Sequence, residues 1–293
     1  MNQILELNTK PNTNGTYKVA IQGYSGAFHE VATRLLFEGH AVEIEAHDTF
    51  RELIKSVESG ENADYGLMAV ENTIAGSLMD NYRLLNESSL QIIGEIDLRI
   101  QQNLLVWPGQ KIEDLTAVHS HPVANVQCRE FFAQYPHIEL VDDIDTALSA
   151  KNIRDKQSKH IGAIASSLAA EIYGLEVLAE GIETNKRNFT RFLLLGRAMN
   201  YPVPKDQATK ISLCFALDHE VGALHKLLAV LSAYGANLTK IQSAPIIGKE
   251  WQYLFYVDLI ADKRYDYQQV LSAIQPLTSY MRLLGVYPKG KQF

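Results

Sequence analysis

The sequence predicts an α/β protein, on three observations. Short apolar segments alternate with amphipathic ones from residue 18 to residue 195. A polar stretch bracketed by prolines, Tyr201-Pro202-Val203-Pro204-Lys205-Asp206, then interrupts the chain. Beyond it the segments follow the order strand, helix, strand, strand, helix, strand. Strands alternating with helices imply a mainly parallel sheet covered on both sides. Each proline fixes φ and removes a donor, so the interruption reads as a stiff linker between two units.

Taken in order, residues 18–22 form a short strand ending at Gly23, and Gly26-Ala27-Phe28-His29 starts a helix with Val31, Leu35 and Leu36 on one face. Residues 41–46 are a second strand, 50–59 a helix and 65–70 a third strand. The apolar run stops abruptly in Glu71-Asn72-Thr73, and Gly76-Ser77 opens the next helix. Residues 91–98 and 101–106 are extended, and 115–118 lead into a helix near 122–134. A helix over 145–152, a strand over 160–164, a helix over 166–173 and a returning strand over 192–195 complete the region. Crossovers near 98–103 and 180–192 divide it into two lobes with a cleft between them. After the linker, strands at 210–217, 236–245, 253–260 and 281–287 with helices at 221–234 and 265–276 give a ferredoxin-like βαββαβ unit.

Bulk properties narrow the function. At 293 residues and 46% hydrophobic content the chain can build more than one core. A net charge of -7 argues against nucleic acid or an anionic membrane as the main partner. Cys128 and Cys214 lie far apart with no CxxC and read as reduced, buried thiols of a cytoplasmic protein. Residues 1–17 lack the pattern of a signal peptide, and no run of about 18 apolar residues exists to span a membrane. The nine histidines are scattered, so metal binding is not expected. Gly23-Tyr24-Ser25-Gly26 does not fit a dinucleotide-binding turn, and no G-x-S-x-G elbow supports serine hydrolysis.

The most informative stretch is Asn188-Phe189-Thr190-Arg191-Phe192, which follows Lys186 and Arg187 and runs into Leu193-Leu194-Leu195. A hydroxyl and a guanidinium side by side offer an anion a proton donor and a fork of N–H groups. The same spacing also fits a solvated loop entering a buried strand. Glu71, Asn72 and Thr73 crowd the end of another strand, with Gly76 and Ser77 close behind. Such a cluster forms the ligand rim of an open α/β sheet. His121, with Pro122 behind it, suits either a cleft position or a helix cap, as does Asp145.

Taken together with Ser120-His121-Pro122 and Asp145-Thr146-Ala147, these segments resemble prephenate dehydratase from about residue 18 to 288. Each motif is weak alone; their order and spacing are specific. The resemblance implies a bilobal catalytic region over 17–198, similar to periplasmic binding proteins, with lobe 1 at about 17–98 and 190–198 and lobe 2 at about 99–189. It implies a linker at 199–209 and conversion of prephenate to phenylpyruvate without a cofactor or metal. Thr190 would stand near the leaving hydroxyl as the catalytic residue. Glu71, Asn72, Thr73, Gly76, Ser77, Ser120, His121, Asn188, Phe189 and Arg191 would bind substrate, with Arg191 clamping a carboxylate or else facing the lobe interface. The turn at Gly23 would line the cleft, although Tyr24, Ala27 and His29 stand where the family has Pro, Thr and Ser. The alternatives are an arogenate dehydratase, or a non-catalytic amino-acid sensor.

Gly222-Ala223-Leu224, Asn237-Leu238-Thr239 and Leu284-Gly285-Val286-Tyr287-Pro288 make residues 210–290 look like an ACT domain. That resemblance implies a homo-oligomer, dimer or tetramer, with phenylalanine as effector. Gly222, Ala223, Leu224, Asn237, Leu238, Gln242 and Ser243 would form the site. Here Gln242-Ser243-Ala244-Pro245 replaces the family's Glu-Ser-Arg-Pro, and Val221 replaces a proline. A neutral glutamine in place of a carboxylate weakens any bond to an ammonium group.

Overall fold

The computed structural model describes residues 11–12, 14–197, 210–260 and 266–293. The expected linker at 199–209 lies outside the described residues, as does the first residue of the expected helix at 265–276.

A ten-stranded sheet and a five-stranded sheet organise the molecule. The first begins with β1 (Thr16–Gln22), β2 (Ala41–His47), β3 (Tyr65–Asn72), β4 (Gly76–Ser77) and β5 (Leu90–Arg99). Helices α1 (Phe28–Leu36), α2 (Phe50–Ser59) and α3 (Met79–Glu87) cover it. The chain then builds the second sheet from β6 (Asn103–Val106), β7 (Ala117–Ser120), β8 (Glu139–Asp142), β9 (Ile161–Ala165) and β10 (Glu176–Ala179). Helices α4 (Pro122–Phe132), α5 (Thr146–Lys156) and α6 (Ser167–Tyr173) alternate with its strands. It returns as β11 (Phe189–Arg197), which inserts between β3 and β5. Finally β12 (Lys210–Ala216), α7 (Ala223–Ala233), β13 (Asn237–Pro245), β14 (Tyr253–Ile260), α8 (Tyr267–Ile274) and β15 (Tyr280–Tyr287) follow in βαββαβ order.

Both sheets are mixed, which corrects the expectation of a mainly parallel one. β1 runs parallel to β2 and β3, but β11 is antiparallel to β3 and β5. In the second sheet β7 is parallel to β8 and β9, while β6 is antiparallel to β9 and β10. Antiparallel neighbours need no crossover helix, and β11 re-enters the first sheet directly from the loop after β10 of the second.

β11 reads as a continuous apolar run because both its faces are buried. Phe192 and Leu194 pack with Val19, Ile21, Leu36 and Ile96. Leu193 and Leu195 point the other way, to Leu53, Val57, Tyr82 and Leu90. In the C-terminal unit, Ile211, Leu213, Phe215, Val257 and Leu259 pack against α7 and α8 through Leu227, Leu231, Val270 and Ile274. The opposite face, with Cys214, Tyr256, Leu284 and Tyr287, packs into the same cluster as Tyr82 and Leu85 of α3. The C-terminal unit is thus packed on the β3–β5–β11 region and α3 through the face its own helices leave bare.

Two glycines make close approaches that no larger residue allows. Gly285 pairs with Ile92 to join β15 to β5, and a Cβ there would lie 2.2 Å from the Ile92 carbonyl oxygen. Gly26 has φ +87°, and a Cβ on it would lie 2.6 Å from the Ala169 Cα. The turn at 23–26 is docked on α6: Ser166 Oγ donates to the Gly26 carbonyl and Tyr173 Oη to the Ser25 carbonyl.

Candidate functional site

Where β3 and β11 end side by side, Thr190 pairs with Asn72 and Arg191 with Glu71. Asn72 is the organiser. Its Oδ1 accepts from the backbone N–H groups of Ile74 and Ala75, at 3.0 and 2.9 Å. That turn fixes which way the amide points. Nδ2 therefore faces Asn188 Oδ1 at 2.8 Å and Thr190 Oγ1 at 3.0 Å. Asn188 is fully buried and passes its own Nδ2 to Gln127 Oε1 of α4 at 2.9 Å. One polar chain thus runs from Gln127 of α4 through Asn188 and Asn72 to the Thr190 hydroxyl. Gln127 was not expected from the sequence. The available sign was a polar residue on α4 beside Ala124 and Cys128, which are buried.

Arg191 is placed differently from the carboxylate clamp of the first expectation. Its side chain is 11% exposed and its three nitrogens are already committed. Nε bonds Glu95 Oε2 at 2.7 Å, Nη1 pairs with Asp258 Oδ2 at 2.5 Å, and Nη2 reaches Tyr287 Oη at 3.1 Å. Glu95, itself buried, also accepts from Lys210 Nζ at 3.0 and 2.8 Å. Burial alone would lower the guanidinium's pKa; Tyr287, Asp258 and Glu95 outweigh it, and the group is held above its ordinary value. Alternation along β11 explains the placement, since Arg191 shares the face of Leu193, toward the C-terminal unit.

Glu71 is likewise bonded to the C-terminal unit. Lys240 Nζ lies 2.9 Å from Glu71 Oε2 and 2.6 Å from Ser77 Oγ, with the Tyr82 ring 5.0 Å away. Ser77 does not open a helix: Gly76–Ser77 is the short β4, paired antiparallel with β3, and α3 starts at Met79. Its hydroxyl belongs to a hairpin rim instead of a helix N-terminus.

Thr73 Oγ1 accepts from Phe189 N and donates to the Arg187 carbonyl, tying the rim to the crossover. Lys186 is folded back onto the Gly181 and Glu183 carbonyls. Arg187 is exposed, and among the described residues its guanidinium has no bonded partner. Ser120 is buried with its hydroxyl on the Ile164 carbonyl, and exposed His121 caps α4 by accepting from Val123 N. Asp145 caps α5 through Ala147 and Leu148, and burial raises its pKa. Its carboxylate also comes close to Gly23, where a Cβ would lie 3.0 Å from Oδ2. His29 is half-buried, with its ring packed against Phe50 and Phe192, and accepts from Ala69 N; desolvation of the ring lowers its pKa to about 3, so it is a neutral acceptor.

The candidate effector residues divide between two faces of the C-terminal sheet. Gly222, in the left-handed region, is the N-cap of α7, with Ala223 and Leu224 in its first turn. Ala223 and Leu224 line a cavity of about 140 Å³ with Asp218, Trp251 and Phe255. Ser243 pairs with Phe255 and shares that face. Gln242 pairs with Tyr256, on the face turned to α3. Asn237 is exposed at the start of β13, and Leu238 packs toward the helices.

Among the described residues, no helix is long and apolar enough to cross a membrane. The family model for prephenate dehydratase matches residues 19–200, more than half of the chain. Arogenate dehydratase 2 of Petunia hybrida is 38% identical over 97% of this chain and 74% of its own. The structure of GqqA, described as a novel type of quorum-quenching acylase, is similar with a TM-score of 0.84 and 32% identity over 93% of this chain and 98% of that one. A prephenate dehydratase from Arthrobacter aurescens, in complex with L-Phe, superposes with a TM-score of 0.82 at 27% identity, covering 93% of this chain and 90% of its own.

Proposed function

The chain belongs to the prephenate dehydratase family, and on that footing we propose that it converts prephenate to phenylpyruvate in phenylalanine biosynthesis. The observation that carries the reading is the bond from Asn72 to Thr190. An amide nitrogen only donates, so the threonine oxygen is the acceptor and its own proton is left free. In the reaction the carboxyl–carbon bond at the quaternary ring carbon breaks and releases carbon dioxide. Its electron pair completes the aromatic ring, and the bond to the ring hydroxyl breaks at the other end. The leaving oxygen gathers negative charge and departs as water on taking one proton from solvent. Thr190 stands to donate a hydrogen bond to that oxygen as charge develops, the kind of interaction that is stronger in the transition state than before it. The atoms balance without an oxidant, a covalent intermediate or a metal.

Substrate carries two carboxylates. With Arg191 and Lys186 committed, Arg187 is the cation of this stretch left for one of them, and its guanidinium fork matches two oxygens. The rim 71–77 and the crossover 188–190 enclose the ring. This assignment follows the expected division into a bilobal catalytic region at 17–198, a linker at 199–209 and an ACT domain at 210–290. Phenylalanine as effector fits the αL start of α7 and the cavity behind it. β13 is the outer strand of the ten-stranded sheet, and Ile241, Ile247 and Trp251 are exposed in and just after it. An open edge with apolar neighbours suits pairing with a second copy, hence a homo-oligomer. Cys128 and Cys214 are free and buried, which suits a reducing cytoplasm.

The likeness to GqqA raises hydrolysis as a second reading, in which Ser77, 2.6 Å from Lys240 Nζ, would be the nucleophile. That nitrogen is the ammonium of an ion pair with Glu71, so it gives Ser77 a donor where a nucleophile needs a base. Dehydration is the better fit. The test is to mix protein with prephenate and follow phenylpyruvate by its ultraviolet absorbance in alkali. Formation of phenylalanine from arogenate at a higher kcat/KM would move the assignment to arogenate dehydratase, and no product from either would reject it.

A further inference from the structure

Two cross-strand pairs from different units face each other. In the catalytic sheet Arg191 is opposite Glu71, and in the C-terminal sheet Lys240 is opposite Asp258. Each pair also reaches across to the other unit: Arg191 to Asp258 at 2.5 Å and Lys240 to Glu71 at 2.9 Å. A register shift between Leu238 and Lys240 gives this alignment, turning Leu238 toward the helices and leaving Lys240 on the face toward α3. Glu71 and Arg191 each adjoin one member of the Thr190–Asn72 pair.

We infer that Lys240, contributed by the C-terminal unit, is a positioning residue for the dehydration site, acting through Glu71 and the β4 hairpin. The Lys240 side chain is only 7% exposed. Its ammonium has three donors, and two are spent on the two ends of that hairpin, Glu71 and Ser77. Asn72, which orients the Thr190 hydroxyl, is the next residue along from Glu71. A cation that joins the two ends of a tight hairpin fixes where its middle lies. Misplacement of a reacting group by about 1 Å costs up to a hundredfold in rate. The strand that bears Lys240 also bears Asn237, Leu238, Gln242 and Ser243, the candidate effector residues. Any shift of β13 on ligand binding therefore moves the rim through a single side chain.

The inference rests on the dehydratase reading for its kinetic consequence, so the test has a second arm that does not. In the full chain, Lys240→Met should lower kcat/KM for prephenate by on the order of tenfold to a hundredfold. Lys240→Arg should retain most of it. If Lys240 acts through Glu71, Lys240→Met combined with Glu71→Gln should cost no more than the worse single variant. Independently, hydrogen exchange of the peptide covering 70–78 should be severalfold faster in Lys240→Met, with residues 210–230 unchanged. A wild-type protein that yields no phenylpyruvate would reject the dehydratase reading and leave the exchange arm to decide this one. Unchanged exchange over 70–78, or equal loosening across 210–230, overturns the positioning role.

Discussion

Asn72 Nδ2 lies 3.0 Å from Thr190 Oγ1 across the ladder of β3 and β11, and the direction of that bond decides what the hydroxyl can do. The amide is pinned by two backbone donors on its oxygen side, so it gives Thr190 a proton and takes none. The hydroxyl is left as a donor.

Thr190→Ala should therefore lower kcat for prephenate by on the order of a hundredfold or more, the usual loss when one transition-state donor is removed. Thr190→Ser, which keeps the hydroxyl, should retain much more. Steady-state kinetics on both, with circular dichroism to confirm folding, check this. Near-wild-type turnover in the alanine variant would remove Thr190 from the chemistry.

Arg191 and Arg187 should separate by what they damage. Arg191→Ala strands buried Asp258 and leaves Glu95 with Lys210 as its remaining cation, and removing one partner of a buried pair costs roughly 3–5 kcal/mol. Chemical denaturation should show that loss. Arg187→Ala should leave stability within about 0.5 kcal/mol, as exposed substitutions do, and raise KM for prephenate. The reverse pattern would return the carboxylate to Arg191.

His29 gives a pH signature. Its folded pKa of about 3 lies below the ordinary value of 6.5, so the unfolded chain takes up a proton that the folded one refuses. Stability is unaffected above pH 6.5 and falls as pH drops from there toward 3. At pH 5 the cost is about 2 kcal/mol from this group alone. His29→Asn keeps an acceptor for Ala69 N and should lose that increment when urea midpoints at pH 7 and pH 5 are compared with wild type. An identical pH dependence in the variant would show that His29 titrates normally.

Phenylalanine should bind in the cavity beside α7, and because Gln242 lies on the opposite face of β13, Gln242→Glu should leave that affinity unchanged. Calorimetric titration with phenylalanine, with tyrosine and tryptophan as controls, measures it. No heat and no change in activity at millimolar phenylalanine would make the C-terminal unit a structural module.

Much of the fold was legible because hydrophobic period and element length agree over β1–β5 and β12–β15. β8 and β10 were not legible. Each is four residues long and carries acids among its apolar positions, too short for a period to register. Ser77 was misjudged because glycine followed by serine suits a helix start and a hairpin equally well. Thr190 and Asn72 were legible as a motif. The partners of Arg191 were not, because Asp258 and Tyr287 lie in another unit and only tertiary packing brings them near. Gln127 was hidden for the same reason: its amide contact with Asn188 spans 61 positions.

β11 is laid down late yet sits between β3 and β5, and this sets a timetable for synthesis. A ribosome finishes β5 at Arg99 and does not reach Phe189 for roughly ninety more residues, about 5–20 seconds at ordinary rates of elongation. Throughout that interval β3 and β5 each lack the neighbour that will shield them, and their apolar edges are open to other nascent chains. A chain released between Arg99 and Phe189 would thus carry an aggregation-prone half-sheet, and slow translation of that stretch would lengthen the exposure during which a chaperone is needed.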